Sequence, residues 1–305
     1  MLPDLLDARL AGLLAEPGVT DVLLAGTSGC WVSRGRAIEP RPNPFNEASD
    51  LDRLAIELIA AGGRQLDPAN PFADVMLGDV RVHAALRSAC STHTQLSLRY
   101  LGARSTALAD LVSLGAMTRD VEAGLRAILA NRENFFISGA TGSGKTTLLR
   151  AMLSEVSSER VITIEDLAEL RLGGGSVELL ARHANLEGRG EVTLHRLLVE
   201  ALRMRPDRLV VGELRGDELL ILLQAMNTGH SGSGATIHAN SLESVPARLR
   251  SMGLAAGLGV EVLESLVAAS VQWVIHIGTS GGKRAIEAVG RLTLVDGRLT
   301  IARVL

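Results

Sequence analysis

Gly139-Ala140-Thr141-Gly142-Ser143-Gly144-Lys145-Thr146 stands between an apolar run, Phe135-Phe136-Ile137-Ser138, and a helix-prone run from Thr147 to Leu153. Strand, glycine-rich loop and helix in that order read as a phosphate-binding loop. The glycines let successive backbone N–H groups turn toward phosphate, Lys145 neutralises the β and γ charges, and the Thr146 hydroxyl ligates magnesium. The chain is therefore expected to be a nucleotide triphosphatase, with Gly139, Ala140, Thr141, Gly142, Ser143, Gly144, Lys145 and Thr146 around the phosphates and Thr147 directly behind them.

Around this loop, strands and helices alternate. A helix is predicted near 118–130, then the loop unit, then the apolar strand Val161 to Ile164 ending in Glu165-Asp166. A helix from Leu194 to Met204, a buried strand over Arg208 to Val211, a helix over 216–227 and a strand over Ala235 to His238 follow. That rhythm predicts an α/β domain built on a parallel sheet. At the end, Asp296-Gly297 between two alternating runs spells a hairpin with a type I′ turn.

The first hundred residues read differently. Strands over Val19 to Ala25 and Cys30 to Ser33 flank a turn-prone tetrapeptide, and Leu51, Leu54 and Leu58 recur on one helical face. Further strands are expected at 73–77, 80–86 and 94–100, giving a smaller α+β domain. A polar stretch around 102–107 sets the boundary between residues 1–104 and 105–305.

Composition excludes several classes. The net charge is −3 and aromatics are 2% of residues, so neither a basic surface nor stacking platforms for nucleic acid are expected. The densest basic cluster, Arg203 to Arg208, holds three arginines. Cys30 and Cys90 lack metal-ligand spacing and read as reduced thiols. Met1 to Asp7 carries acids where an export signal needs bases, and reads as an amphipathic first helix. Apolar runs such as Leu266 to Ile277 fall short of the roughly 18–20 residues of a membrane span. Any membrane role is then expected to run through a partner.

Phosphoanhydride hydrolysis needs an oriented water and charge neutralisation, so strand-end acids beside the loop are the candidate catalytic groups. Glu213 follows the 209–212 strand, and Glu165 and Asp166 close the preceding one. His230 and His238, in the Asn227 to Asn240 segment, are candidates for a hydrogen bond that reports phosphate state. Their spacing does not suit zinc. His83, His93, His183, His195 and His276 have no supporting context and read as structural or solvated.

These segments resemble the type II and type IV secretion ATPases, most closely the tight-adherence (Flp) pilus branch, whose members are also labelled conjugal-transfer-associated. The resemblance is carried by Ala201-Leu-Arg-Met-Arg-Pro-Asp-Arg-Leu-Val-Val-Gly-Glu-Leu-Arg215, by the Asn-Thr-Gly-His stretch ending at His230, and by Ala235-Thr-Ile-His-Ala-Asn240. It implies a RecA-like ATPase domain behind the smaller N-terminal domain, with ATP as fuel and Mg2+ as cofactor. Four elements carry over: the phosphate loop at 139–146, an acidic box at 164–166, a Walker B strand at 209–213 and a histidine box at 228–238. The catalytic set is then Lys145, Glu165 and Glu213, with Glu213 and Thr146 in the magnesium shell. The resemblance also sends arginines of the N-terminal domain to the nucleotide, for which Arg81, Arg87 and Arg99 are the candidates. It implies a cytoplasmic homohexamer bound to the inner face of the membrane through a platform protein, with no direct nucleic-acid contact. The chain starts almost at the two-domain core, leaving out the longer N-terminal region of many relatives. Two isolated cysteines cannot build the four-cysteine zinc insertion of some type II members. A nucleic-acid-dependent RecA-like motor and a weakly cycling regulatory subunit are the alternatives.

Overall fold

The computed structural model describes residues 6–34, 37–101, 107–182, 189–280 and 283–305, and the chain divides into two compact units, Met1–Arg104 and Ser105–Leu305. Residues 102–106 of the expected linker, and His183, lie outside the described residues.

In the first unit, helix α1 (Ala8–Ala15) is capped by the Asp7 carboxylate, which accepts the Arg9 backbone N–H, and residues 1–5 of the expected first helix lie outside the described residues. Strands β1 (Asp21–Ala25), β2 (Gly29–Arg34) and β3 (Ala37–Pro40) precede helix α2 (Ala48–Ala61), and β4 (Phe72–Leu77), β5 (Val80–Ala85) and β6 (Gln95–Tyr100) follow it. They form one antiparallel sheet in the order β3-β2-β1-β6-β5-β4. Alternation decides the faces: Val22, Leu24, Val32, Val75, Val82, Leu96 and Leu98 point into a core closed by Leu10, Leu14, Leu51, Leu54 and Leu58 of the two helices. Arg81 and Arg99 have the opposite parity and stand side by side in register on β5 and β6.

The second unit contains α3 (Leu108–Ser113), α4 (Arg119–Ala130), β7 (Phe135–Gly139), α5 (Lys145–Ser154), β8 (Val161–Glu165), β9 (Val177–Leu180), α6 (Leu194–Leu202), β10 (Arg208–Leu214), α7 (Glu218–Asn227) and β11 (Gly234–His238). Helices α8 (Val245–Ala255) and α9 (Val260–Ser270) and strands β12 (Trp273–Ser280), β13 (Lys283–Val295) and β14 (Arg298–Arg303) complete it. The sheet order is β14-β13-β12-β7-β11-β10-β8-β9, parallel from β12 to β9 with an antiparallel edge at β13 and β14. The apolar run Leu266 to Ile277 is thus the end of one helix and the start of a strand.

Central strands of such a sheet are covered on both faces, which is why they read as unbroken apolar runs. Every residue of β7 and β8 is buried. Successive side chains serve different cores: Phe136, Ile162, Ile164, Leu209, Val211 and Ile237 pack with α6, α7, α8 and α9, while Phe135, Ile137, Val161 and Val210 pack with α3, α4 and α5. Asp296 and Gly297 both have positive φ (51° and 73°), as a type I′ turn between β13 and β14 requires.

Candidate active site

Because β7, β11, β10 and β8 run parallel and lie side by side, their C-terminal ends gather at one edge of the sheet. The phosphate loop leaves β7 there, His238 closes β11, Glu213 lies near the end of β10, and Glu165 closes β8. This is the edge at which open α/β sheets bind ligands.

The loop needs its first glycine for two reasons. Gly139 has φ +154°, and a Cβ there would lie 2.4 Å from the Ile277 carbonyl oxygen of β12. The loop ends at Gly144, φ +105°, which sets the entry into α5. The first N–H groups of that helix have no intrahelical acceptor and point toward the loop, so they can bind an anion. Ser143 Oγ is buried with no hydrogen-bond partner, an unsatisfied donor in the same cradle. These features fit a phosphate. Thr141 and Thr147 are exposed beside it.

Lys145 is 7% exposed. Its ammonium donates to the carbonyls of Gly139 (3.0 Å) and Ala140 (2.9 Å) and lies 3.5 Å from His238 Nδ1. Burial pulls its pKa below the ordinary lysine value, opposed by the charges of Glu213 and Glu169. His238 Nε2 meets Glu213 Oε1. The other Glu213 oxygen accepts from Arg215 Nε (2.9 Å) and Nη2 (2.5 Å), and Arg215 Nη1 donates to Asp166 Oδ2 at 3.0 Å. A continuous polar path therefore runs from the phosphate loop across three strand ends. Burial also lowers the His238 pKa, which favours the neutral ring, with Glu213 acting against it.

The structure brings Lys145, His238 and Glu213 together and gives Glu165 and His230 other contacts. Glu165 is 4% exposed. Its carboxylate accepts from the backbone N–H groups of Leu170 (3.1 Å) and Glu169 (3.3 Å), and burial pushes its pKa up to about 8. It is thereby committed to shaping the turn after β8. That turn carries Glu169, whose carboxylate accepts from Thr146 Oγ1 at 3.3 Å. Glu169 is not legible from strand-end logic, since it lies four residues past Glu165 in a segment without helix or strand.

His230 stands at the other end of the strand that His238 closes. It precedes β11 and His238 ends it, so within this unit the two histidines of one sequence box lie at opposite ends of a strand. At about 3.3 Å per residue the strand alone separates them by roughly 13 Å. His230 Nδ1 is buried without a partner, and the loop around it is held by Ser233 Oγ donating to the His230 carbonyl. Of the histidines without expected roles, His276 is buried against Ser138 Oγ (2.9 Å), while His83 and His195 pair with Asp74 and Asp217.

In the first unit, Arg81 pairs with Asp74 (3.1 Å) and Arg99 with Asp21 (2.7 Å), on the helix-free face. Arg87 lies past the end of β5 and turns to Asp52 of α2 (3.1 Å). The sheet thus groups Arg81 with Arg99 and leaves Arg87 apart. Among the described residues, no three His, Cys, Asp or Glu side chains gather as a protein-only metal cage, and no helix is long and apolar enough to cross a membrane.

A RecA-like parallel sheet with a glycine-rich phosphate loop at its C-terminal edge defines a P-loop ATP hydrolase. Within that class the chain belongs to the type II/IV secretion system protein family, whose pattern matches residues 76–281. It is 42% identical over 300 residues to a Mycobacterium tuberculosis protein named for conjugal transfer, covering 95% of this chain and 85% of that one. The Brucella suis VirB11 ATPase of a type IV secretion system is similar in structure, with 25% identity, a TM-score of 0.50 and coverage of 92% and 94%. The Legionella pneumophila ATPase DotB shares the fold, with 19% identity, a TM-score of 0.62 and coverage of 99% and 80%.

Proposed function

We propose that this protein is the Mg-dependent ATPase of a conjugation-, secretion- or Flp-type pilus machine, acting as a homohexameric ring on the cytoplasmic face of a membrane platform protein. The observation that carries this reading is the path from Lys145 through His238 to Glu213, set beside a loop built for phosphate, in a chain similar to proteins named for conjugal transfer and for a type IV secretion system.

Lys145 binds the β and γ phosphates and exchanges its loop carbonyls for them, with the α5 N-terminus and Ser143 Oγ donating alongside. Thr146 and Glu213 are the residues that would hold magnesium, Glu213 through water. When bound, the ion supplies charge neutralisation on the phosphate oxygens. Glu213 orients the attacking water, and His238 fixes one of its oxygens. Glu165 holds the turn that delivers Glu169 to Thr146. Arg81 and Arg99 are the arginines we assign to the nucleotide from the N-terminal unit, where an arginine on the transferring group is worth about 10³ to 10⁵ in rate.

The test is Mg-ATP turnover by the purified chain beside Lys145→Ala and Glu213→Gln. Both variants are expected to lose nearly all turnover, and Lys145→Ala to lose nucleotide binding as well. Turnover at the parent rate in either removes the site assignment.

A further inference from the structure

Arg215 follows the strand-end glutamate by two residues and is 59% exposed, the profile of an ordinary surface arginine. Its surroundings differ from that profile. The Arg215 backbone N–H and that of Gly216 both donate to Glu218 Oε1, and Glu218 is buried at the start of α7. The guanidinium spends Nε and Nη2 on Glu213 Oε2 and Nη1 on Asp166 Oδ2. Backbone and side chain are therefore both anchored, and the planar fork spans the ends of the neighbouring strands β10 and β8.

The strand beneath adds a reason for such a clamp. Pairing of β10 with β11 shifts register between Val211 and Leu214, so Gly212 and Glu213 sit in an irregularity that re-aims the glutamate out of the sheet. Gly212 is required there, since a Cβ would lie 2.8 Å from Glu165 Cγ. A carboxylate at an irregular strand end gains rotamer freedom unless both oxygens are held. His238 holds Oε1, and Arg215 holds Oε2.

We infer that Arg215 is a positioning residue for Glu213, with Asp166 as its anchor, so that it sets the rate of hydrolysis without contributing to nucleotide affinity. This rests on the role given above to Glu213. A bidentate guanidinium carries direction as well as charge, so a lysine can replace only part of the function. Asp166, which the sequence singles out as a strand-end acid, thereby acts through Arg215.

The experiment is Mg-ATP turnover and fluorescent-nucleotide binding by the full chain, carrying Arg215→Gln, Arg215→Lys, Asp166→Asn and the Arg215→Gln/Asp166→Asn pair. Arg215→Gln is expected to lower kcat about tenfold or more with KM and nucleotide Kd within about twofold, the split that marks loss of an interaction made only in the transition state. Arg215→Lys should recover part of kcat. Asp166→Asn should cost about threefold alone and add nothing in the Arg215→Gln background, because linked residues are not additive. A parent-like kcat for Arg215→Gln, or single losses that multiply in the pair, overturns the inference. Glu213→Gln run in parallel separates the two levels: if it turns over normally, the site reading falls and this inference with it. If it is inactive while Arg215→Gln is normal, only the role of Arg215 falls.

Discussion

His238 Nε2 and Glu213 Oε1 meet across the ends of adjacent strands β11 and β10, and the opposite ring nitrogen of His238 lies 3.5 Å from Lys145 Nζ. One neutral tautomer serves both contacts: Nε2–H donates to the carboxylate while Nδ1 accepts from the ammonium. The ring therefore links Lys145 of the phosphate loop to the strand-end Glu213. His238→Ala removes both contacts and is expected to lower kcat at least about tenfold, roughly the worth of one hydrogen bond to a charged group. His238→Gln, which keeps a donor for Glu213, should recover part of that. Steady-state turnover of the two variants checks this, and equal rates for both would remove the directional role of the ring.

Glu165 lends itself to a stability test. Burial raises its pKa from 4.5 to about 8. An acid whose folded pKa lies above its unfolded one binds its proton more tightly when folded. Its contribution is thus full below about pH 4.5 and declines as pH rises toward about 8, by an amount of the order of a few kcal/mol. Glu165→Gln abolishes that dependence at the expense of one N–H bond. The melting temperature of the variant relative to the parent should rise between about pH 5.5 and about pH 8.5. A difference that stays flat across that range would show that the folded carboxyl is already ionised there and its pKa is not raised.

The N-terminal arginines are tested apart from the fold. Arg81 and Arg99 pair with Asp74 and Asp21 on the helix-free sheet face, where the two carboxylates are partly buried, and such partly solvated pairs contribute about 1–2 kcal/mol. Arg81→Ala and Arg99→Ala should therefore melt within a few degrees of the parent while slowing hydrolysis at least about tenfold. Arg87→Ala, whose partner is Asp52 on α2, should leave hydrolysis unchanged. Normal hydrolysis by both Arg81→Ala and Arg99→Ala would rule out the transfer of N-terminal arginines to the phosphates.

What the sequence made legible follows from how local each signal is. The phosphate loop is contiguous, and its neighbours Phe135 to Ser138 are apolar because β7 is covered on both faces. Leu51, Leu54 and Leu58 show their helix by spacing alone. Glu213 and His238 could be found because each closes an apolar run that reads as a central strand. His230 and His238 fall in one histidine box by resemblance, whereas a strand lies between them. Glu169 and Arg215 escaped notice because their roles depend on partners across the sheet edge, at Thr146 and Asp166, 23 and 49 positions away. The edge strands β3 and β9, each spanning four residues, are too short to show a period.

Arg208 shows the same limit most clearly, since in sequence it belongs to a basic cluster and in the structure it is 1% exposed. Its guanidinium donates to both Glu159 oxygens (2.7 and 3.0 Å), to the Leu129 carbonyl (2.8 Å) and to the Gly232 carbonyl (3.1 Å). These partners fasten the start of β10 to the end of α4 and to the loop leading into β11. Arg208→Ala leaves two backbone carbonyls without this donor and Glu159 with Arg132 as its remaining guanidinium partner, at 2.9 Å. Glu159 is only partly buried and keeps Arg132, so the loss is expected near the lower end of the cost of breaking a buried pair, about 3 kcal/mol. Arg208→Met, which refills the space with apolar volume, should cost less. Urea unfolding of the three proteins, compared at equal m-values, measures this directly. A loss below about 1 kcal/mol for Arg208→Ala would mean that the network is dispensable for the ATPase unit.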